Sequence, residues 1–205
     1  MLTPEAIAGL LQPYMPVPAA AADSPRIYAQ LSIYLELILK WNARTNLTAI
    51  RTPEEIVRRH FGESLFAGAH LGPCRTLLDF GSGAGFPGVP IQLLRPDVQV
   101  TLAESRNKKA SFLREVVRTL GLPTEVWAGR VEAMPATRHF DVVTLRAVDD
   151  MDAGVREAAL RVSDRLLILA TSQSAYPSLA EHFRMAEAFP LPESTDGVLL
   201  IAHRS

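Results

Sequence analysis

Leu77-Leu78-Asp79-Phe80-Gly81-Ser82-Gly83-Ala84-Gly85-Phe86-Pro87-Gly88 decides how this chain reads. An apolar run leads into a glycine-dense turn, and a second apolar run (Val89, Pro90, Ile91, Leu93, Leu94) follows. That order predicts a buried strand, a tight loop and a helix. A backbone stripped of side chains lets a ligand lie directly against its amides. Glu104 falls at the end of the next predicted strand, where its carboxylate can accept bonds from two ribose hydroxyls. Loop and carboxylate together predict a site for an adenosine-containing cofactor.

Working outward, the chain from Arg75 alternates strands and helices. Strands are predicted over 76–80, 98–103, 125–128, 141–145 and 165–170. Helices are predicted over 87–94, over 107–120 closed by Gly121, briefly near 131–134, and over 151–162. Repeated strand–helix–strand units imply an α/β fold with a mostly parallel sheet and helices on both faces. In the tail, 179–187 reads as a helix and 198–203 as a last strand. Before Arg75 the pattern is helical. Thr3 caps a short helix with Pro4 at its first position, and 13–25, rich in proline and alanine, reads as a connection. Ile27, Leu31, Tyr34, Leu35, Ile38 and Trp41 recur at helical spacing. Thr52-Pro53-Glu54-Glu55 starts another helix, which should run to about His70 and stop at Gly72-Pro73. The expected organisation is an N-terminal helical extension over 1–72 and a cofactor-binding core over 73–205.

Composition sets limits. The 205 residues are 48% hydrophobic and 21% charged, enough to bury a real core, and the net charge is −1. Near-neutrality hides local asymmetry: between residues 106 and 118 stand Arg106, Lys108, Lys109, Arg114 and Arg118 with a single acid, Glu115, and Arg58-Arg59-His60 forms a second basic group. Such patches are either solvated helix faces or contacts for a polyanion. Cys74 is the only cysteine, so intrachain disulfides and cysteine-based zinc sites are excluded, and no metal is expected. Met1-Leu2-Thr3-Pro4-Glu5 has no basic leader character, and no stretch reaches the roughly 18 apolar residues of a membrane span. A cytoplasmic monomer is expected.

The frame of the glycine loop bears on the cofactor. Gly83-Ala84-Gly85-Phe86-Pro87-Gly88 formally matches G-x-G-x-x-G, a weak signal alone. A dinucleotide loop places its first glycine directly after the strand. Gly81 holds that place, which puts bulky Phe86 where the helix must approach a pyrophosphate. Read as Asp79-x-Gly81-x-Gly83-x-Gly85, the loop suits S-adenosylmethionine, which has no phosphate. Its amides face the methionine carboxylate, and Asp79 orients the ammonium. Glu104 fits either cofactor, so the loop alone leaves a nicotinamide nucleotide open.

Several blocks in order resemble one family. Asp79–Gly88 resembles motif I of class I S-adenosylmethionine-dependent methyltransferases. More narrowly, the chain resembles the bacterial 16S ribosomal RNA guanine-N7 methyltransferases, the glucose-inhibited division B family. The supporting blocks are Trp41-Asn42-x-x-x-Asn46-Leu47-Thr48-Ala49-Ile50, Arg59-His60-Phe61-x-x-Ser64-Leu65, Glu104-Ser105-x-x-Lys108-Lys109-x-x-Phe112-Leu113 and Phe140-Asp141-Val142-Val143-x-x-Arg146-Ala147-Val148. The resemblance covers roughly 31–170. It departs at Glu63, where the family usually has aspartate, and at Ala170-Thr171-Ser172-Gln173, where it often has Lys-Gly.

The resemblance implies a Rossmann-like class I methyltransferase with a seven-stranded sheet, an N-terminal helical extension, and S-adenosylmethionine as cofactor. It implies methylation of N7 of a guanine in the 530 loop of 16S rRNA (position 527 of that RNA), hence the small ribosomal subunit as partner. Carried over, cofactor contacts fall on Gly81, Phe86, Glu104, Ser105, Arg106, Val131, Glu132 and Arg146, with Asp79 and Gly83 added from the loop. RNA contacts fall on Asn46, Arg59, His60, Lys108 and Lys109.

Guanine N7 carries an in-plane lone pair and no proton, so transfer needs alignment, not a general base. Arg146, ending the fourth strand, is placed to donate to guanine O6 or a phosphate, or else to pair with Asp149 or Asp150. Rival readings are a small-molecule methyltransferase, a nicotinamide-dependent reductase, and a non-catalytic RNA-binding or cell-division factor.

Overall fold

The buried strands come first, because they set the edge on which the site stands. In a computed structural model describing residues 2–15, 24–148, 150–173 and 176–205, five strands run parallel: β1 (Thr76–Phe80), β2 (Gln99–Glu104), β3 (Glu125–Ala128), β4 (Phe140–Arg146) and β5 (Val162–Thr171). They join β6 (Phe183–Pro190) and β7 (Gly197–Arg204) in a seven-stranded sheet of order β3-β2-β1-β4-β5-β7-β6, with β7 antiparallel to both neighbours. Leu77, Leu78 and Asp79 of β1 are fully buried, as expected for a central parallel strand covered on both faces.

Alternation sends successive residues to opposite faces. Leu77, Val100, Val142 and Leu167 join one apolar cluster, and Leu78, Ala103, Val143 and Leu166 join the other. The first cluster is covered by α5 (Gly88–Leu94) and α6 (Asn107–Leu120), the second by α7 (Met151–Arg161). The helices α1 (Pro4–Leu11) and α2 (Ser24–Asn42) contribute Ile7, Leu31, Tyr34 and Ile38 to the first cluster. The N-terminal helices and the sheet therefore share one apolar core. Trp41 Nε1 donates to Glu115 on α6 (3.1 Å), tying α2 to the sheet layer.

Local signals act as their chemistry requires. Thr3 Oγ1 accepts from Ala6 N–H at 3.3 Å. Gly121 closes α6 in the left-handed conformation, with Leu122 N–H returning to the Val117 carbonyl. After Thr52 one continuous helical run comprises α3 (Pro53–Glu55), a π-helical segment Ile56–Gly62, and α4 (Glu63–Ala69). Nothing in the sequence reading anticipated the π segment. Gly62 lies under the Tyr14 ring, and a Cβ there would sit 2.7 Å from it. Most of the expected 13–25 connection, residues 16–23, lies outside the described residues, and α2 begins at Ser24.

The tail corrects the sequence reading. Helix α8 (Pro177–His182) ends at His182, and 183–187, expected to continue it, belong to β6. Pairing with β7, which places Ala188 against Leu200 and Phe189 against Leu199, overrides local helical preference. Val162 likewise opens β5 instead of closing α7. No described helix is long and apolar enough to cross a membrane.

Candidate functional site

Because β1, β2 and β4 are parallel neighbours, their carboxyl ends share one edge of the sheet, where open α/β folds bind ligands. Phe80 stands beside Ala103 and Leu145 in register. The glycine loop leaves this edge and is held from three sides. Ser82 N–H donates to the Ala103 carbonyl (2.9 Å), and Ser82 Oγ donates to the Asp79 carbonyl (2.9 Å). From α2, the fully buried Tyr34 hydroxyl donates to the Ala84 carbonyl. Gly88 opens α5 against β2, where a Cβ would lie 2.4 Å from Leu102 Cδ2 and 2.7 Å from Asp79 Oδ2. Only glycine permits that approach.

A cavity of about 570 Å³ lies over the loop. Its lining brings together Gly81, Gly83, Phe86, Glu104, Ser105, Arg106, Val131, Glu132 and Arg146, the expected cofactor residues other than Asp79. Glu104 is 6% exposed. One carboxylate oxygen accepts Gly83 N–H (2.9 Å) and the other Arg106 N–H (2.7 Å). Each oxygen keeps a further lone pair, so the carboxylate fits a vicinal diol. Val131 and Glu132 form a 3₁₀ turn beyond β3, on the far side of Glu104 from the loop.

At the other end of the cavity, Arg146 closes β4. Its Nη2 donates to Glu63 Oε2 (2.7 Å) and to the Arg59 carbonyl (2.9 Å). Glu63, 5% exposed, accepts Arg59 Nε on its other oxygen (2.8 Å). The partner of Arg146 is thus Glu63. Of the two acids expected as alternatives, Asp150 instead caps α7 through Ala153 N–H (2.9 Å), and Asp149 lies outside the described residues. The His60 ring stacks on Phe86, with centroids 4.5 Å apart and planes at 18°. Its Nε2 meets Thr48 Oγ1 at 2.7 Å. Burial, with the Arg146 and Arg59 cations nearby, pushes His60 down to about 3, so the ring is neutral at pH 7.

The expected RNA residues divide. His60 and Lys109 line the cavity; Asn46, Arg59 and Lys108 do not. Asn46 is exposed and accepts from Arg51 (3.1 Å). The tie from the N-terminal helices to the site belongs to Asn42. Its side chain binds Leu47 N–H, Thr48 N–H and the Thr48 carbonyl at 2.9–3.1 Å, fixing the segment that carries Thr48 to His60. Tyr34, Thr48 and Glu63 were not singled out in the sequence as site residues. Their only signals were helical spacing for Tyr34 and membership of the two quoted blocks for the others. Among the described residues no cluster of His, Cys, Asp and Glu is arranged to hold a metal.

Asp79 corrects another expectation. It is fully buried and does not line the cavity. Oδ2 accepts Gly88 N–H (3.0 Å) and Oδ1 accepts the Thr144 hydroxyl (3.0 Å), so it builds the loop-to-helix junction and is not positioned to reach a ligand's ammonium. Burial pushes its carboxyl up to about 6. The folded state then retains a proton that the unfolded chain has released. This contribution to stability is fully present below the ordinary carboxylate range and lost as pH rises through about 6. His60, depressed to about 3, acts oppositely: its contribution is present above the ordinary imidazole value and lost as pH falls. The two slopes oppose each other between roughly pH 4 and 6. Asp79→Asn, whose amide can still accept from Gly88 and donate to Thr144 Oγ1, removes only the first. Its urea-measured stability should rise more steeply than the parent's across that window, by about 3 kcal/mol. Parallel slopes would exclude Asp79 as the titrating group.

Known proteins bear on this geometry. The family model for GidB, rRNA small subunit methyltransferase G, matches residues 27–183. Relatives called ribosomal RNA small subunit methyltransferase G include one from Nitrosomonas europaea, 45% identical over 138 residues (66% of this chain, 64% of the relative). Another, from Chromobacterium violaceum, is 46% identical over 127 residues (62% and 61%), and one from Xanthomonas campestris is 39% identical over 172 residues (80% and 79%). The aligned chain thus spans somewhat less than two thirds of the length of the first two. Among solved structures, magnesium protoporphyrin IX methyltransferase from Synechocystis, with bound SAM, superposes with a TM-score of 0.65 at 13% identity, over 84% of this chain and 97% of that one. A ribosomal protein L11 methylase from Lactobacillus delbrueckii gives 0.60 at 11% identity, over 72% and 80%. Those likenesses establish a Rossmann-like class I methyltransferase fold. The family-model match, running from α2 through the glycine loop and Arg146 into the tail, establishes more: this chain belongs to the rRNA small subunit methyltransferase G family.

Proposed function

We propose that the protein transfers a methyl group from S-adenosylmethionine to N7 of a guanine in the 530 loop of 16S rRNA. The observation that carries this reading is the buried Glu104 carboxylate beside the glycine loop, in a cavity that ends at Arg146. When bound, S-adenosylmethionine supplies an electrophilic methyl on a sulfonium. Glu104 holds the ribose hydroxyls, Val131 and Glu132 border the adenine, and the loop amides between Gly81 and Gly85 face the amino-acid end. Phe86 and His60 wall the cavity on the side of the N-terminal helices. Arg146 lies across β1 from Glu104, on the side where the acceptor base must arrive. Since N7 has no proton to lose, no residue is assigned as a base, and the residues contribute alignment and exclusion of water. Lys109 and Arg106 at the cavity, and Lys108 and Arg59 beside it, supply positive charge for RNA phosphates.

The test is incubation with labelled S-adenosylmethionine and either small subunits or naked 16S rRNA from cells lacking the modification. Borohydride and aniline then cleave at N7-methylguanine. Cleavage in the 530 loop is expected. Label on another base, or rRNA binding without cofactor affinity, would overturn the proposal; the latter is the outcome expected of a non-catalytic RNA-binding factor. Glu104→Ala should weaken S-adenosylmethionine binding about 100-fold or more by calorimetry, as expected from two charge-assisted hydrogen bonds. Unchanged affinity would remove Glu104 from the ribose site.

A further inference from the structure

Among the described residues, two buried side-chain nitrogens lack a hydrogen-bond partner: His60 Nδ1 and Arg146 Nη1. Both residues line the cavity over the glycine loop. Buried polar atoms are almost always paired, so two orphans in the wall of one cavity point to a ligand that completes them.

Neither group is free to turn away. Arg146 is fixed through Nη2, which binds Glu63 Oε2 and the Arg59 carbonyl. His60 is fixed by stacking on Phe86 and by Thr48 at Nε2. The Thr48 hydroxyl oxygen accepts Ile50 N–H (3.2 Å) and stands 2.7 Å from His60 Nε2, to which its own proton can be donated. With that proton given to Nε2, the neutral ring carries its own on Nδ1. In that tautomer both unpartnered nitrogens of the cavity wall are N–H donors.

The sheet order says what meets them. The ribose carboxylate is on β2, the glycine loop follows β1, and Arg146 is on β4. A cofactor lying from β2 across β1 presents its reactive end towards β4. We infer that His60 Nδ1 and Arg146 Nη1 form a two-donor clamp on the exocyclic oxygen of the acceptor base, selecting guanine over adenine. Guanine O6 adjoins N7 and has two lone pairs, whereas adenine offers an amino donor at that place. A site built from donors rejects such a mismatch strongly, because its own buried groups stay unpaired. This inference rests on the proposed methyl transfer to guanine. It adds His60 as a second reader of the base.

The experiment pairs enzyme variants with a base analogue that lacks the exocyclic oxygen together with the N1 proton. Small subunits are reconstituted with 16S rRNA carrying guanine or 2-aminopurine at the target position; the analogue keeps N7 and lacks O6. In the unaltered enzyme the change should lower kcat/KM about 100-fold. In His60→Ala it should lower it only about 10-fold. His60→Asn, whose amide nitrogen can occupy the place of Nδ1, should restore part of the lost sensitivity. Equal sensitivity in all three enzymes, or a change in cofactor affinity alone, would overturn the clamp. Failure of the unaltered enzyme to methylate guanine at all, despite cofactor binding, would instead overturn the proposed function.

Discussion

Glu63→Gln should lower the free energy of unfolding by about 3–5 kcal/mol, the cost of leaving one member of a buried ion pair without its counter-charge. Glu63 is 5% exposed and its partner Arg146 14%. Burial pushes the Arg146 guanidinium down, and the Glu63 charge is the largest effect opposing it. Gln can still accept one hydrogen bond, but its amide sets N–H groups against either Arg59 or Arg146. Urea denaturation reads the loss directly, and a variant within about 1 kcal/mol of the parent would show that solvent compensates the pair. Replacing both Glu63 and Arg146 by Met should recover most of the stability, because no buried charge is left unpaired. Methyl transfer should be lost in the double variant, which lacks the Arg146 guanidinium at the cavity. The stability and the site role of this pair are thus separable.

Glu63 also shows where the sequence stops being legible. The strand set from β1 to β5 was readable because each strand is a short apolar run between turn residues, and the glycine loop was readable because only glycine tolerates its contacts. Glu104 followed from its place at a strand end. Glu63 read only as an acid kept at a family position, and Arg146 was offered Asp149 or Asp150, its neighbours in sequence. The actual pairing joins α4 to β4 across 83 residues, and no local pattern encodes it. Asp79 failed for a related reason. A carboxylate beside a glycine loop reads as a ligand group, but Gly88 N–H and the Thr144 hydroxyl take its two oxygens inside the fold. In the tail, the apolar spacing of 179–187 is compatible with helix or strand, and β7 decides it. Tyr34 read correctly as core, yet its hydroxyl reaches 50 residues along the chain to Ala84.

That hydroxyl makes Gly85 the position of the other large effect. Gly85 has φ +95°, and a Cβ there would lie 2.5 Å from Tyr34 Oη, 2.8 Å from Val89 Cγ2 and 3.2 Å from Leu113 Cδ2. Gly85→Ala combines backbone strain with overpacking in a fully buried setting, which together should cost about 3–5 kcal/mol. The loop sets the amides expected to face the cofactor, so S-adenosylmethionine binding should fall below detection even where the variant remains folded. Tyr34→Phe alone leaves the Ala84 carbonyl unpaired and should cost about 1–3 kcal/mol. Combined, the two should not add. Phe removes the oxygen nearest the new methyl, so the double variant should be more stable than the sum of the single losses by about 0.5–3 kcal/mol. A strictly additive cycle would mean that Val89 and Leu113, not Tyr34, set the limit at Gly85. A coupled cycle in which cofactor binding returns only with the double variant would show that the N-terminal helix α2 sets the shape of the cofactor loop through one buried hydroxyl.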